Sequence, residues 1–373
     1  MLAQPPLWFI IIAFLCLLGP LVVFHELGHY WVARWFGVGA EQFSIGFGRE
    51  IVGWTDKRGT RWKVGWLPLG GYVKFIGDMN PASQPGDPAE LPKDVRQQSF
   101  HLRPWWQRFL IVLAGPLANY LLAIAIFAAF FLFVGVPSAS TEISRIVPGK
   151  AASRSDLRAG DVIQSVAGTS VGSLSEIQLV VMIRPGHRVP VEYVRDGQRR
   201  RTEVTIGVEE RVDDFGQKAK MGMLGIEAAA KPLPASQAIP KATRDTIAIT
   251  RTTLAVLGQI LTGERPVKDL GGPLKVAQVA GQQASLGLYQ FIYLIGFLSI
   301  NLGFINLLPV PVLDGGHLVF YAAEAIRRRP LSEQAQEWAF RGGFALIVAW
   351  MLLLTFNDLA SFGLFERLGR LIG

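Results

Sequence analysis

The stretch His25-Glu26-Leu27-Gly28-His29 sets two imidazoles and a carboxylate within five positions, after an N-terminal run from Met1 to Phe24 that holds no charged residue. On an α-helix, residues i and i+4 share a face. His25 and His29 can therefore hold one metal ion, with Glu26 beside them as a general base. Ionisable side chains inside an apolar span are costly and mark function by default. The combination points to a zinc hydrolase whose site lies within a bilayer. A catalytic zinc takes three protein ligands and leaves one position for water, so the third ligand must come from another segment at the same depth. Asp314 is the best candidate. It ends an uncharged run, follows Pro309 and Pro311, which break a helix, and precedes Gly315-Gly316, which permit a close backbone approach. Asp314 can also be read as the cap of the next helix, and His317 is a second candidate ligand.

Such residues need elements to carry them. Half of the 373 residues are hydrophobic and 18 % are charged, and the apolar share is concentrated in blocks, which gives an integral membrane protein with soluble parts. The blocks predict four spans: Pro6 to Phe36, with Gly19 and Pro20 as a kink before the histidines; Phe109 to Val136; a third within Val276 to Leu313; and roughly Trp338 to Phe356. Lys and Arg crowd the loop between the first two spans and the Arg327-Arg328-Arg329 turn. Both loops should be cytoplasmic, with the termini and the long central segment outside. The net charge of +8 thus reads as topology, and no basic patch of a nucleic-acid binder is evident. Cys16, the sole cysteine, excludes intramolecular disulfides and Cys catalysis and reads as a packing residue. The N-terminus lacks the basic region of a signal peptide and reads as a retained span.

In the first basic loop, Trp62 to Ile76 alternates apolar residues around Gly70-Gly71 and predicts a β-hairpin, one that can dip towards the site because non-helical backbone is tolerated where it lines a cavity. Residues Pro81 to Pro92 read as a loop. From about Ser138 to Ala230 short β-rich runs (ISRIV, DVIQSVAG, VPVEYVRDG, RRTEVTIGV) alternate with turns and predict a soluble domain. Lys231 to Pro240 reads as a linker and Thr243 to Leu261 as an amphipathic helix on the membrane surface or against the protein, or equally as a plain connecting helix. His101 and His187 lie in polar stretches and read as surface residues.

Three motifs in order, HExxH at His25 to His29, GPxxN at Gly115 to Asn119 and NxxPxPxLDG at Asn306 to Gly315, resemble those of the site-2 proteases, zinc proteases that cut inside membranes. The chain is most similar to the bacterial RseP-type members, and the resemblance covers nearly all of it, including Leu67 to Phe75 and Gly316 to Phe320. The resemblance implies a polytopic α-helical membrane protein of about four transmembrane helices, with an inserted extracytoplasmic PDZ domain (α+β) and a membrane-associated β-hairpin. It assigns His25, His29 and Asp314 as ligands of one Zn2+ and Glu26 as catalytic base. It places Asn306 near the substrate backbone. The hairpin is expected to hold an unwound substrate by strand addition, with Gly71, Tyr72 and Val73 as contacts, and Pro309, Pro311 and Asn119 are further substrate-binding candidates. Val147 to Ala152 and Leu157 to Ile163 match the PDZ pattern, with Leu224, Gly225 and Ile226 in the ligand loop; there is room for one PDZ domain, where some members carry two.

The implied division is 1–36, first span; 37–108, cytoplasmic loop with the hairpin 62–76; 109–136, second span; 137–230, PDZ; 231–285, linker and amphipathic helix; 286–313, third span; 314–337, cytoplasmic; 338–358, fourth span; and 359–373, tail. The implied substrate is a single-pass membrane protein already shortened by a site-1 protease, such as an anti-sigma factor, or a signal-peptide remnant. The implied setting is the lipid bilayer of a bacterial inner membrane, with PDZ periplasmic, the active site near the cytoplasmic side and no nucleic-acid partner. The alternative is a non-proteolytic, zinc-containing PDZ membrane scaffold; Glu26 argues against it, since a structural zinc needs no base.

Overall fold

The computed structural model describes residues 5–78, 93–137, 141–212, 218–228, 230–266 and 271–361. The loop expected at 81–92 and the tail beyond Ser361 lie outside the described residues. The chain divides into two compact units, 1–127 with 239–373, and 128–238. Among the described residues, four helices are long and apolar enough to cross a membrane: Leu7–Trp35 (α1), Trp105–Phe133 (α3), Leu288–Asn306 (α7) and Gln334–Ser361, the bulk of α9 (Glu333–Ser361).

In α1, Ala13, Leu17, Leu21, His25, His29 and Ala33 recur every fourth residue and are all buried. The histidines extend the one stripe that packs this helix against its neighbours, while much of the rest of the surface stays apolar and exposed, as a lipid-facing helix requires. Cys16 sits on that exposed side and is not a packing residue. The second span starts at Trp105, not Phe109, because Pro104 opens the turn and its carbonyl accepts from the N–H groups of Gln107 and Arg108. It stops at Phe133, short of Val136, ahead of Gly135 at φ +95°. Arg108, whose charge hid this first turn, is paired with Glu324 at 2.6 Å.

The third span is shorter than 286–313. Helix α7 ends at Asn306, residues 307–313 are non-helical, and the chain resumes as α8 (Asp314–Arg327). Pro309 and Pro311 cannot donate to a helical ladder, which accounts for the break. The 231–285 stretch holds two helices, α5 (Ala235–Leu261) and α6 (Pro273–Leu286). The expected linker to Pro240 gives way to α5 at Ala235, because the Pro234 carbonyl accepts from Gln237 and Ala238; Pro240 lies inside the helix. The fourth helix begins at Glu333, one polar turn before the hydropathy signal at Trp338.

The loop between α1 and α3 holds a short helix, α2 (Lys93–Arg96), and two long strands, β1 (Ala40–Thr55) and β2 (Arg61–Phe75). Phe43 lies opposite both Val73 and Trp62, and Ser44 opposite both Tyr72 and Lys63, while Thr55 faces Arg61. The order across the sheet is therefore 50–55, 61–65, 40–45, 71–75. The 62–76 segment does bend at Gly70, φ +110°, but it is not a hairpin closed on itself: its two arms flank 40–45. Only alternation within 62–76 was visible locally, and the partner strand lies outside it. Asp56 in the turn ties the sheet to α1, accepting from Tyr30 Oη at 3.3 Å and Trp62 Nε1 at 3.0 Å. Phe43, Val73 and Phe75 pack with Tyr30, Ile111 and Tyr321 in one buried cluster. His101 is no surface residue: its Nε2 lies 2.7 Å from Asp78. His187 is exposed, as expected.

The second unit contains β3 (Val136–Pro137), β4 (Ile143–Ile146), β5 (Val162–Val166), β6 (Thr169–Ser170), α4 (Leu174–Met182), β7 (Arg188–Arg195), β8 (Gln198–Thr205), β9 (Gly207–Val212), β10 (Lys218–Met223), β11 (Ile226–Ala228) and β12 (Ala230–Lys231). The four runs read as strands from sequence are β4, β5, β7 and β8. A sheet of order β6-β5-β7-β8 and the pair β11-β4 enclose a core that includes Ile143, Ile163, Ile177, Tyr193 and Leu224. Asp161 is fully buried and accepts from Arg195 Nε at 2.7 Å and from the Arg158 N–H at 2.7 Å.

Burial alone would raise the Asp161 carboxyl, but the hydrogen bonds of Arg195 and the Arg158 backbone outweigh it and hold it below its ordinary value. A group depressed in the fold contributes stability above its unfolded value, near 3.9, and loses it as pH falls through the folded value. Hydrogen exchange across 141–206 of the full chain should show Asp161→Asn less protected than wild type at pH 6. The gap should close below about pH 4, near the ordinary Asp value; a gap constant with pH would reject the ionic account.

Candidate metal centre and pocket

Helices α1 and α3 meet along matched stripes. Residues 25 and 29 of α1 face residues 111, 115 and 119 of α3, each set spaced by one helical turn. His29 Nδ1 donates to the Ile111 carbonyl at 2.9 Å; a carbonyl only accepts, so the proton is on Nδ1 and Nε2 keeps its lone pair. Gly115 makes room for this ring: a Cβ there would collide with His29. His25 Nδ1 lies 3.2 Å from the Asn119 amide. The GPxxN motif thus reads as a surface shaped to two imidazoles.

Asp314 comes from the break after α7. Leu313, not Asp314, takes the N-cap of α8, without a side-chain cap bond. Asp314 Oδ2 points instead at the histidines, 3.1 Å from His25 Nε2 and 3.5 Å from His29 Nε2, with the two Nε2 atoms 3.2 Å apart. Oδ2 is buried without a hydrogen-bond partner, which is costly unless something else binds it. Tetrahedral ligands about 2.0–2.1 Å from zinc are roughly 3.3 Å from one another, so this N2O donor set fits that ion. Among the described residues, His25, His29 and Asp314 form the one such group of potential ligands. His317 is outside it, stacked on Tyr321 with ring centroids 6.4 Å apart.

Glu26 is buried beside the cluster, with the backbone of Val73 close to its carboxyl. The 71–75 arm approaches α1 closely at Gly71, where a Cβ would strike Val22 and crowd the Glu26 side chain. A pocket of about 570 Å³ opens over these groups. His25, Glu26, His29, Asp314, Asn306, Gly71, Tyr72 and Val73 all line it. Asn119, Pro309 and Pro311 do not line it; Asn119 lies beside His25, which does. Sequence reasoning missed Phe47, Tyr321 and Phe340 on the lining; they reach it through sheet and helix packing that leaves no local signal. In the second unit, Leu224, Gly225 and Ile226 line a separate cavity of about 630 Å³ with Val147, Ile177 and Met182.

Comparison with known proteins matches residues 13–350 to the model of peptidase family M50. The chain is 41 % identical over 360 residues to the Agrobacterium fabrum protein named "Putative zinc metalloprotease Atu1380", covering 94 % of this chain and 96 % of that one. It is 37 % identical over 389 residues to "Metalloprotease MmpA" of Caulobacter vibrioides, covering 97 % and 98 %. Among solved structures, the PDZ domain of an SdrC-like protein from Listeria monocytogenes aligns with 24 % of this chain and 88 % of its own length, at 18 % identity and a TM-score of 0.19.

Proposed function

The chain belongs to peptidase family M50, the site-2 type of metalloprotease, and from that premise we propose that His25, His29 and Asp314 hold one zinc ion with which Glu26 hydrolyses peptide bonds inside the membrane. The observation that carries this reading is the convergence of three lone-pair donors, one otherwise orphaned, beside a buried carboxylate in one pocket.

Bound zinc supplies a water of lowered pKa and a polarised scissile carbonyl. Glu26 takes the proton of the attacking water and passes it to the leaving amine, with the Val73 backbone beside its carboxyl. Asn306, one amide on the pocket wall, donates to the substrate carbonyl as negative charge develops there. A transmembrane helix must be unwound before attack because its carbonyls are already hydrogen-bonded. The 71–75 arm, last in the order of its sheet, receives the unwound peptide by strand addition, with Gly71, Tyr72 and Val73 as contacts. Pro309 and Pro311 act at one remove, by stopping α7 and setting Asp314.

The substrate is a single-pass protein shortened beforehand by a site-1 protease, of the anti-sigma-factor kind or a signal-peptide remnant. The second unit is a periplasmic PDZ domain that screens substrates by the size of their outer part, or binds a new C-terminus at Leu224, Gly225 and Ile226. The protein resides in the bacterial inner membrane with the metal near the cytoplasmic face. Purified protein should bind one zinc and cleave a transmembrane peptide, and chelation should stop cleavage; cleavage that survives removal of all metal would refute the proposal. Val73→Pro deletes the N–H that contacts Glu26 and interrupts the pairing with Phe43. It should lower cleavage at least about tenfold, a barrier change of 1.36 kcal/mol, with zinc retained. Unchanged cleavage would reject the role of the arm.

A further inference from the structure

We infer that Asn119 is a positioning residue that fixes the tautomer and orientation of His25. This deepens the zinc reading and rests on it. Asn119 is fully buried and absent from the pocket lining. Its side chain has two ends. The nitrogen lies 3.2 Å from His25 Nδ1, while Oδ1 is buried with no partner.

An amide nitrogen donating to Nδ1 would require the ring proton to sit on Nε2. That atom, however, lies 3.1 Å from Asp314 Oδ2 and must offer a lone pair to a metal. The two ends of a carboxamide have nearly the same shape and exchange by a half-turn. With Oδ1 towards His25, the Nδ1–H donates to it, the buried oxygen gains a partner, and Nε2 is freed for the ion. His29 is held in the same way by the Ile111 carbonyl. Helix α3 thus supplies both acceptors, one from backbone and one from a side chain two turns on. Metal-bound histidines regularly pass their second N–H to such acceptors, at a cost of 10–100-fold in affinity when these are removed. Asn119 is itself pinned from α7, where Ser299 Oγ donates to its backbone carbonyl at 2.8 Å.

The test uses full-length protein in detergent. Zinc affinity is measured by competition with a chromophoric chelator, and KM and kcat are measured with a transmembrane peptide at saturating zinc. Asn119→Leu, which has the size but no acceptor, should weaken zinc about 10–100-fold. Asn119→Asp, which can only accept when ionised, should bind zinc close to wild type, and KM should stay unchanged in both. Equal zinc affinity in all three proteins would overturn the inference, as would a raised KM with unaltered zinc binding, or equal loss in the Leu and Asp variants. A wild-type chain that binds no zinc would be a different result and would overturn the metal reading itself.

Discussion

Glu26→Gln is expected to retain one zinc per chain and to lower cleavage of a transmembrane peptide by about 10²–10⁴-fold, the usual contribution of a positioned acid–base group. Gln has the size of Glu and keeps an oxygen that can accept from the Val73 N–H, so the contact between α1 and the 71–75 arm survives. What disappears is the ability to take a proton from water. The three groups on the metal side, His25, His29 and Asp314, are untouched, so zinc content separates the two roles. Wild-type cleavage by Glu26→Gln would remove Glu26 from the chemistry, and loss of zinc would make it a ligand.

The second large effect should come from a single methyl group. Gly115→Ala places a Cβ within the van der Waals envelope of the His29 ring, closest to Nε2, the atom turned towards Asp314. The ring must swing away, losing the Ile111 carbonyl, or α1 and α3 must separate. Overpacking of this kind costs about 1–3 kcal/mol, and loss of the orienting bond costs a further 10–100-fold in metal affinity. Zinc binding and cleavage should fall together. Gly19→Ala is the control: it is a helical glycine of α1, with nothing within 4 Å of the added carbon, and it should leave both unchanged. If Gly115→Ala binds zinc like wild type, the close fit between the two helices is not what orients His29.

The parts of this molecule legible in its sequence are those governed by a local period. The four-residue spacing of His25 and His29, the uncharged spans and the strands of the second unit each repeat within a few residues, and the structure contains them. Asp314 was legible because a charge at the end of a long uncharged run is rare. What was hidden depends on pairing across the chain. Residues 40–45 contain too short an alternation to announce that they would be gripped by both arms of β2. The Asp78–His101 pair and the facing of Asn119 to His25 depend on which elements become neighbours, and no spacing encodes that. Polar first turns, as in α5 and α9, also fall below any hydropathy signal although their backbones are helical.

The break after Asn306 has a further consequence, for the order of synthesis. Asp314 enters the chain some 285 residues after His29, behind the whole of the second unit. A ribosome-bound chain that has already inserted α1 and α3 carries two histidines and a base but lacks the carboxylate that completes the set. On the proposed reading, peptide-bond hydrolysis would wait until Asp314 had been made and had joined the two histidines.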